Sequence, residues 1–359
     1  HIKLSYMANR FKIILALFGL AVFMISCGAQ GQHTKNLSLV PSHLVQKSEE
    51  TQNNMVVFSF DVKAMRETAK VTSRQPKVVA EQIGLVLSKA PSGKDYPPSL
   101  DPMKMEGFAI CPQYDLQAMT STEGLADFLS KNGYISEESG KLKAYSRKYM
   151  PGETVELPPY QLVSGNGAIQ VTTENKSVAD YSKYLLDGED NPVTSYSAVQ
   201  EVVAGLDDFP AIALIFPFES FAGKQDTRLI VSGLRPDELS EMAGSYKSWG
   251  RPDKIKMMGV GSKVEGLTET VKMVFLYKDE EAAEGDLEDL KNACLNARSV
   301  IDGTPWAAKM GLGRAVVTRD GKIIEATFPL DRGGRSGYRF PQALDVAFRI
   351  GDYGVFWKK

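Results

Sequence analysis

The chain has 359 residues, with 42 Lys and Arg against 44 Asp and Glu and a formal net charge of −2. Without a basic excess it carries no electrostatic footprint for nucleic acid and no polybasic patch for a membrane surface. The length suits one large domain or two medium ones with a substantial core.

Residues 1–26 have the anatomy of a secretory signal. Arg10 and Lys12 form a positive start after Met7, and residues 1–6 read as upstream reading frame. An apolar run from Ile13 to Ile25 follows, then Ser26-Cys27-Gly28-Ala29. A charged start, a short apolar core and small residues at the cut define such a signal. The run is shorter than the roughly 20 residues that span a bilayer. Met24-Ile25-Ser26-Cys27 resembles the bacterial lipobox. The resemblance implies that Cys27 is diacylated and becomes the new N-terminus. It further implies a body outside the cytoplasm, anchored to an envelope membrane. Gly28, where family sorting patterns place Asp for inner-membrane retention, implies the outer membrane in a cell that has two. The other reading is an ordinary secretory signal that happens to contain Cys27.

From Gly28 to Asn54 the chain is polar and without sustained period, which predicts a flexible tether. The body is expected in two α+β halves, 55–220 and 221–359. Its three histidines, His1, His33 and His43, all precede that body. On this reading the body has no imidazole, which removes Ser-His-Asp and Cys-His catalysis in their usual forms and His-containing metal sites. Two cysteines remain besides Cys27. Cys294 lies on a helical stripe with Ala283, Leu287, Leu290, Ala297 and Ile301, so it is expected buried and free, with a bridge to Cys111 as the alternative.

Along the body, alternation over Val56–Val62 predicts a strand. A helix carrying Val79, Ile83, Val86 and Ala90 ends at Pro91, and a proline-rich loop leads to a strand over Gly107–Cys111. Thr120 to Glu123 has capping-box spacing before a helix with Leu125, Phe128 and Leu129 inward and Gly133 as its stop. Lys141–Tyr149 is read as a strand. Asn166-Gly167 centres a hairpin, and helices follow at about Val178–Leu185 and Ser195–Leu206, then a strand over Pro210–Phe218. Ile255–Val264 and Leu267–Tyr277 form a second hairpin. The next helix is capped by Asp279, with Glu280, Glu281 and Glu284 in its first turn. A third hairpin turns at Asp320-Gly321. Hairpins mixed with helices argue an α+β fold with helices on one sheet face; two related halves stay open, because hairpin-then-helix occurs twice. Gly259-Val260-Gly261 lacks the third glycine and the strand-to-helix context of a dinucleotide fingerprint.

From about 119 to 330 the chain resembles a loosely defined class of bacterial extracytoplasmic lipoproteins. The resemblance rests on Asn132-Gly133-Tyr134 closing a helix, the GNGAIQVTTENKSVADYSKYL segment and the later FLYKDEEAAEGDLEDL segment. These are patterns of structure, and the resemblance brings no catalytic residues. Three local features remain. Arg332, Arg335 and Arg339 lie in a glycine-containing loop that could hold a carboxylate or phosphate, or form a solvated loop. The acids Glu280, Glu281, Glu284, Asp286, Glu288 and Asp289 read as helix-surface charge rather than a cation site. Tyr353, Phe356 and Trp357 read as a docked C-terminus rather than a sugar platform. The sequence thus implies a membrane-anchored, non-enzymatic binding or scaffold protein with no cofactor, metal or nucleic acid and an unknown ligand or protein partner. The rivals are an envelope enzyme using carboxylates, for instance on glycans, and an envelope assembly partner.

Overall fold

The computed structural model describes residues 31–46, 55–72, 97–111, 116–139, 142–148, 160–164, 167–171, 191–216, 246–249, 254–265, 268–296, 312–330 and 355–358. The helices over 79–90 and 178–185 expected from the sequence lie outside these residues. The described strands are β1 (Met55–Asp61), β2 (Gly107–Cys111), β3 (Leu116–Met119), β4 (Ile135–Ser139), β5 (Leu142–Ser146), β6 (Tyr160–Ser164), β7 (Gly167–Val171), β8 (Ala211–Phe216), β9 (Tyr246–Trp249), β10 (Ile255–Glu265), β11 (Thr268–Tyr277), β12 (Val316–Asp320), β13 (Ile323–Leu330) and β14 (Val355–Lys358). The helices are α1 (Gln32–Leu37), α2 (His43–Gln46), α3 (Val62–Thr72), α4 (Leu125–Lys131), α5 (Ser197–Ala204) and α6 (Glu280–Asn296).

Twelve strands form one antiparallel sheet in the order β12-β13-β11-β10-β8-β1-β2-β3-β7-β6-β5-β4, while β9 and β14 pair separately. Both halves expected from the sequence contribute to this sheet, because β8 lies between β1 and β10. The α+β expectation is met in its coarse form, but helices on one face only is not. Ala211, Ala213 and Ile215 of β8 join one apolar cluster with α3, α4 and α6; Ile212 and Leu214 join another with α1 and α5. The reason is the strand composition. A solvated face needs alternate polar residues, whereas Ala211–Ile215 is apolar and buried throughout, so each face must be covered.

The region expected to be a tether folds over residues 31–46. Leu37, Leu39, Val40 and Leu44 are buried in the second cluster. Their spacing follows no single period because a short helix, a turn and another short helix share them, which is why the segment read as unstructured. Helix α3 starts at once after β1, with the Ala64 N–H donating to Asp61 Oδ1 at 2.9 Å; it was not foreseen. The capping box at Thr120–Glu123 is also corrected. Gly124, at φ 69°, stands at the start of α4 without a side-chain cap, and the Glu123 N–H donates to Ser121 Oγ at 3.3 Å. The expected stop is present at Gly133, φ 80°, and the cap at Asp279, whose Oδ1 accepts from the Ala282 N–H at 2.8 Å.

Candidate functional site

The most concentrated buried chemistry lies where α1 crosses the sheet. Gln32, His33 and Asn36 project from about one turn of helix towards β1, and His33 and Asn36 are 2% and 0% exposed. His33 Nε2 lies 2.7 Å from the Phe209 carbonyl, so it carries the proton and donates. His33 Nδ1, 2.8 Å from Ser59 Oγ, then accepts from that hydroxyl. Asn36 Nδ2 donates to Ser59 Oγ at 2.9 Å and to the Phe60 carbonyl at 3.0 Å. Gln32 Nε2 donates to Asn36 Oδ1 at 2.9 Å and to Thr120 Oγ1 at 3.1 Å. The chain of donors thus joins α1 to β1, to the residue after β3 and to the turn before β8.

Burial is the largest influence on His33 and lowers its pKa. The Phe209 carbonyl, Asp61 and Asp207 oppose the shift. The ring is neutral, with its tautomer set by the two partners. His33 and Ser59 have the separation of a base and nucleophile. Their surroundings do not serve that chemistry. Nε2 faces a backbone carbonyl instead of an orienting carboxylate, Asn36 already occupies the hydroxyl oxygen, and Ser59 is 0% exposed. The arrangement clamps α1 to the sheet. It also corrects the expectation of a body without imidazole: His33 is in the core and His43 lies in α2. The sequence signal that could have found it is the polar i, i+1, i+4 set Gln32, His33 and Asn36 ahead of Leu37, a helical face completed by polar instead of apolar side chains.

Two further polar pairs are buried. Ser262 Oγ donates to Glu269 Oε1 across the β10–β11 hairpin, and both residues are 0% exposed. On α6, Asp286 turns inward and accepts from Lys254 Nζ at 2.7 Å. Burial, with Asp286 next in effect, raises the pKa of the neighbouring Tyr277 phenol. Among the described residues no three His, Cys, Asp or Glu side chains are grouped to hold a metal ion.

Cys111 and Cys294 are free and buried. They lie on opposite faces of the sheet, Cys111 with α1 and Cys294 with α6, which excludes the alternative of a bridge. Burial pushes each thiol up to about 12. Cys27, Arg332, Arg335 and Arg339 lie outside the described residues, as does Tyr353; Phe356 and Trp357 fall in β14. No described helix is long and apolar enough to cross a membrane.

No protein-family model matches the chain, and no curated protein matches it. Among solved structures it is similar to crystal form I of TP0453, with a TM-score of 0.36 and 7% identity over 87% of this chain and 96% of that one. Crystal form IV of TP0453 gives a TM-score of 0.37 at 7% identity over the same shares. Likeness at this level assigns neither a fold family nor a function.

Proposed function

We propose that this chain is a bacterial envelope lipoprotein, diacylated at Cys27, whose body lies outside the cytoplasm and serves as a binding or scaffold protein. In a cell with two membranes, Gly28 favours the outer one. The observation that carries this reading is the position of Cys27. It ends a leader-like segment of Arg10, Lys12 and the apolar run Ile13–Ile25, and Gly31, four residues beyond it, is already part of the described fold. In the reaction, Cys27 Sγ displaces the phosphate headgroup of a phospholipid and forms a thioether to diacylglycerol. The thiol proton leaves with the headgroup, and water then cleaves the Ser26–Cys27 peptide bond. Each buried methylene of the acyl chains contributes about 0.8 kcal/mol to anchoring. For an anionic ligand we assign Arg332, Arg335 and Arg339, three guanidinium groups within eight residues.

The test is Cys27→Ala in the producing bacterium. The wild-type chain is expected in the detergent phase, with a mass raised by acyl groups; the variant is expected in the aqueous phase. A variant that still partitions with membranes through an uncleaved Ile13–Ile25 segment contradicts the reading.

A further inference from the structure

We infer that the body rests directly against the membrane holding its lipid, on the exposed residues Glu123, Asp207, Asp208 and Glu265 that lie beyond the buried strand ends Gly107, Met119 and Pro210 at one rim of the sheet. This rests on the lipidation of Cys27 proposed above, and the argument is one of reach. Cys27 and Gly31 are four residues apart, and an extended chain spans at most about 3.6 Å per residue, or about 14 Å here. A flexible tether of the length of Gly28–Asn54 would instead have a root-mean-square reach of about 30 Å.

Gly31 is fixed in the fold. It is the N-cap of α1, and a Cβ built on it would lie 2.7 Å from Asp207 Oδ1. Two residues on, His33 is held between Ser59 and Phe209. The strand registers define the rim that Gly31 borders. Asp61 ends β1 opposite Gly107, which starts β2; Met119 ends β3 opposite Phe108. Ala211 starts β8 opposite Phe60 and Ser262, close to the Glu265 end of β10. The opposite rim, which carries exposed Lys256, is about 30 Å away along β10 at 3.3 Å per residue. The lipid therefore reaches one rim and not the other.

The charge of this rim shows what holds it there. Glu123, Asp207, Asp208 and Glu265 are all exposed on or beside it. Acids are repelled by an anionic headgroup surface. The short covalent link, rather than surface attraction, keeps the rim close.

The experiment uses the full lipidated chain in phosphatidylethanolamine–phosphatidylglycerol vesicles doped with a nickel-chelating headgroup lipid. A nitroxide is placed at Asp208→Cys or, separately, at Lys256→Cys. Cys111 and Cys294, 0% and 3% exposed, label far more slowly than an exposed cysteine in the native protein, so a short reaction marks only the introduced one. The inference expects strong nickel-induced relaxation at 208 and little at 256. It also expects the enhancement at 208 to be lost when about 20 Gly/Ser residues are inserted between Gln30 and Gly31, which gives a reach of about 25 Å. Equal relaxation at the two positions, or an enhancement at 208 that survives the insertion, overturns the inference while leaving lipidation intact. An intact mass without acyl groups overturns the lipoprotein reading and, with it, this one.

Discussion

Protonating His33 would place a charge in the core and a hydrogen on Nδ1, which accepts from Ser59 in the native state. The folded pKa lies below the ordinary histidine value of 6.5 because burial disfavours the charged ring. The sign follows from linkage. Between the folded and unfolded pKa values the unfolded chain binds more protons, so stability rises with pH. The contribution is fully present above about 6.5 and is lost progressively as pH falls below it. Calorimetry across pH 5–8 is expected to show this loss, and His33→Gln to remove the part of the pH dependence that wild type adds to its carboxylates. Identical pH profiles for the two chains would refute it. At pH 7.5, His33→Ala leaves the Phe209 carbonyl without its donor and Ser59 without its acceptor, at a cost on the order of 3 kcal/mol.

The thiols belong to the same scale. Buried thiols at about 12 hold almost no thiolate at neutral pH and react slowly. Labelling of the Cys27→Ala chain without reductant is expected to be slow when native and to reach two groups when unfolded. Finding fewer than two after denaturation would contradict the free state of Cys111 and Cys294.

Among the elements, α5 depends on the glycines of β10. Val202 and Leu206 occupy the space over Gly259, and a Cβ on Gly261 would lie 2.7 Å from Phe209 Cβ and Cγ. A salt bridge adds to this seat, with Lys322 Nζ reaching Glu201 Oε2 of α5 at 2.9 Å. Gly261→Ala is expected to cost about 1–3 kcal/mol in denaturant unfolding, since it also displaces the Phe209 carbonyl that His33 needs. Gly285→Ala, with nothing within 4 Å on the exposed side of α6, is expected to stabilise by about 0.5–1 kcal/mol. Equal effects at the two glycines would contradict the close approach of α5.

The same elements show what was legible. The β10–β11 and β12–β13 hairpins stood out because long apolar alternation meets a turn, and Gly321 at φ 55° supplies the second of these. The helix α6 was legible in its cap and in the stripe Ala283, Leu290 and Cys294. Strand β4 was not, because it is an edge strand whose residues Ile135–Glu138 are exposed and give no alternation. The β9–β14 pair joins segments about 100 residues apart, so no local pattern announces it. The His33 clamp was hidden for a different reason. Apolar periodicity cannot reveal a helix face whose buried positions are filled by polar groups that satisfy one another.

At the scale of the whole molecule, one sheet carries two cores, and α1 closes the second of them. Residues 31–46 are therefore part of the fold, and the central claim is that the folded body begins by Gly31, four residues after the Cys27 proposed above as its anchor. Amide hydrogen exchange over residues 32–46 tests this most directly. The account predicts that backbone amides of α1, including Lys35, whose N–H donates to the Gly31 carbonyl at 3.1 Å, exchange as slowly as those of β1 and β8, and that His33→Ala speeds them selectively. Exchange over residues 32–46 at the rate of an unstructured peptide, with β1 and β8 still protected, would contradict it.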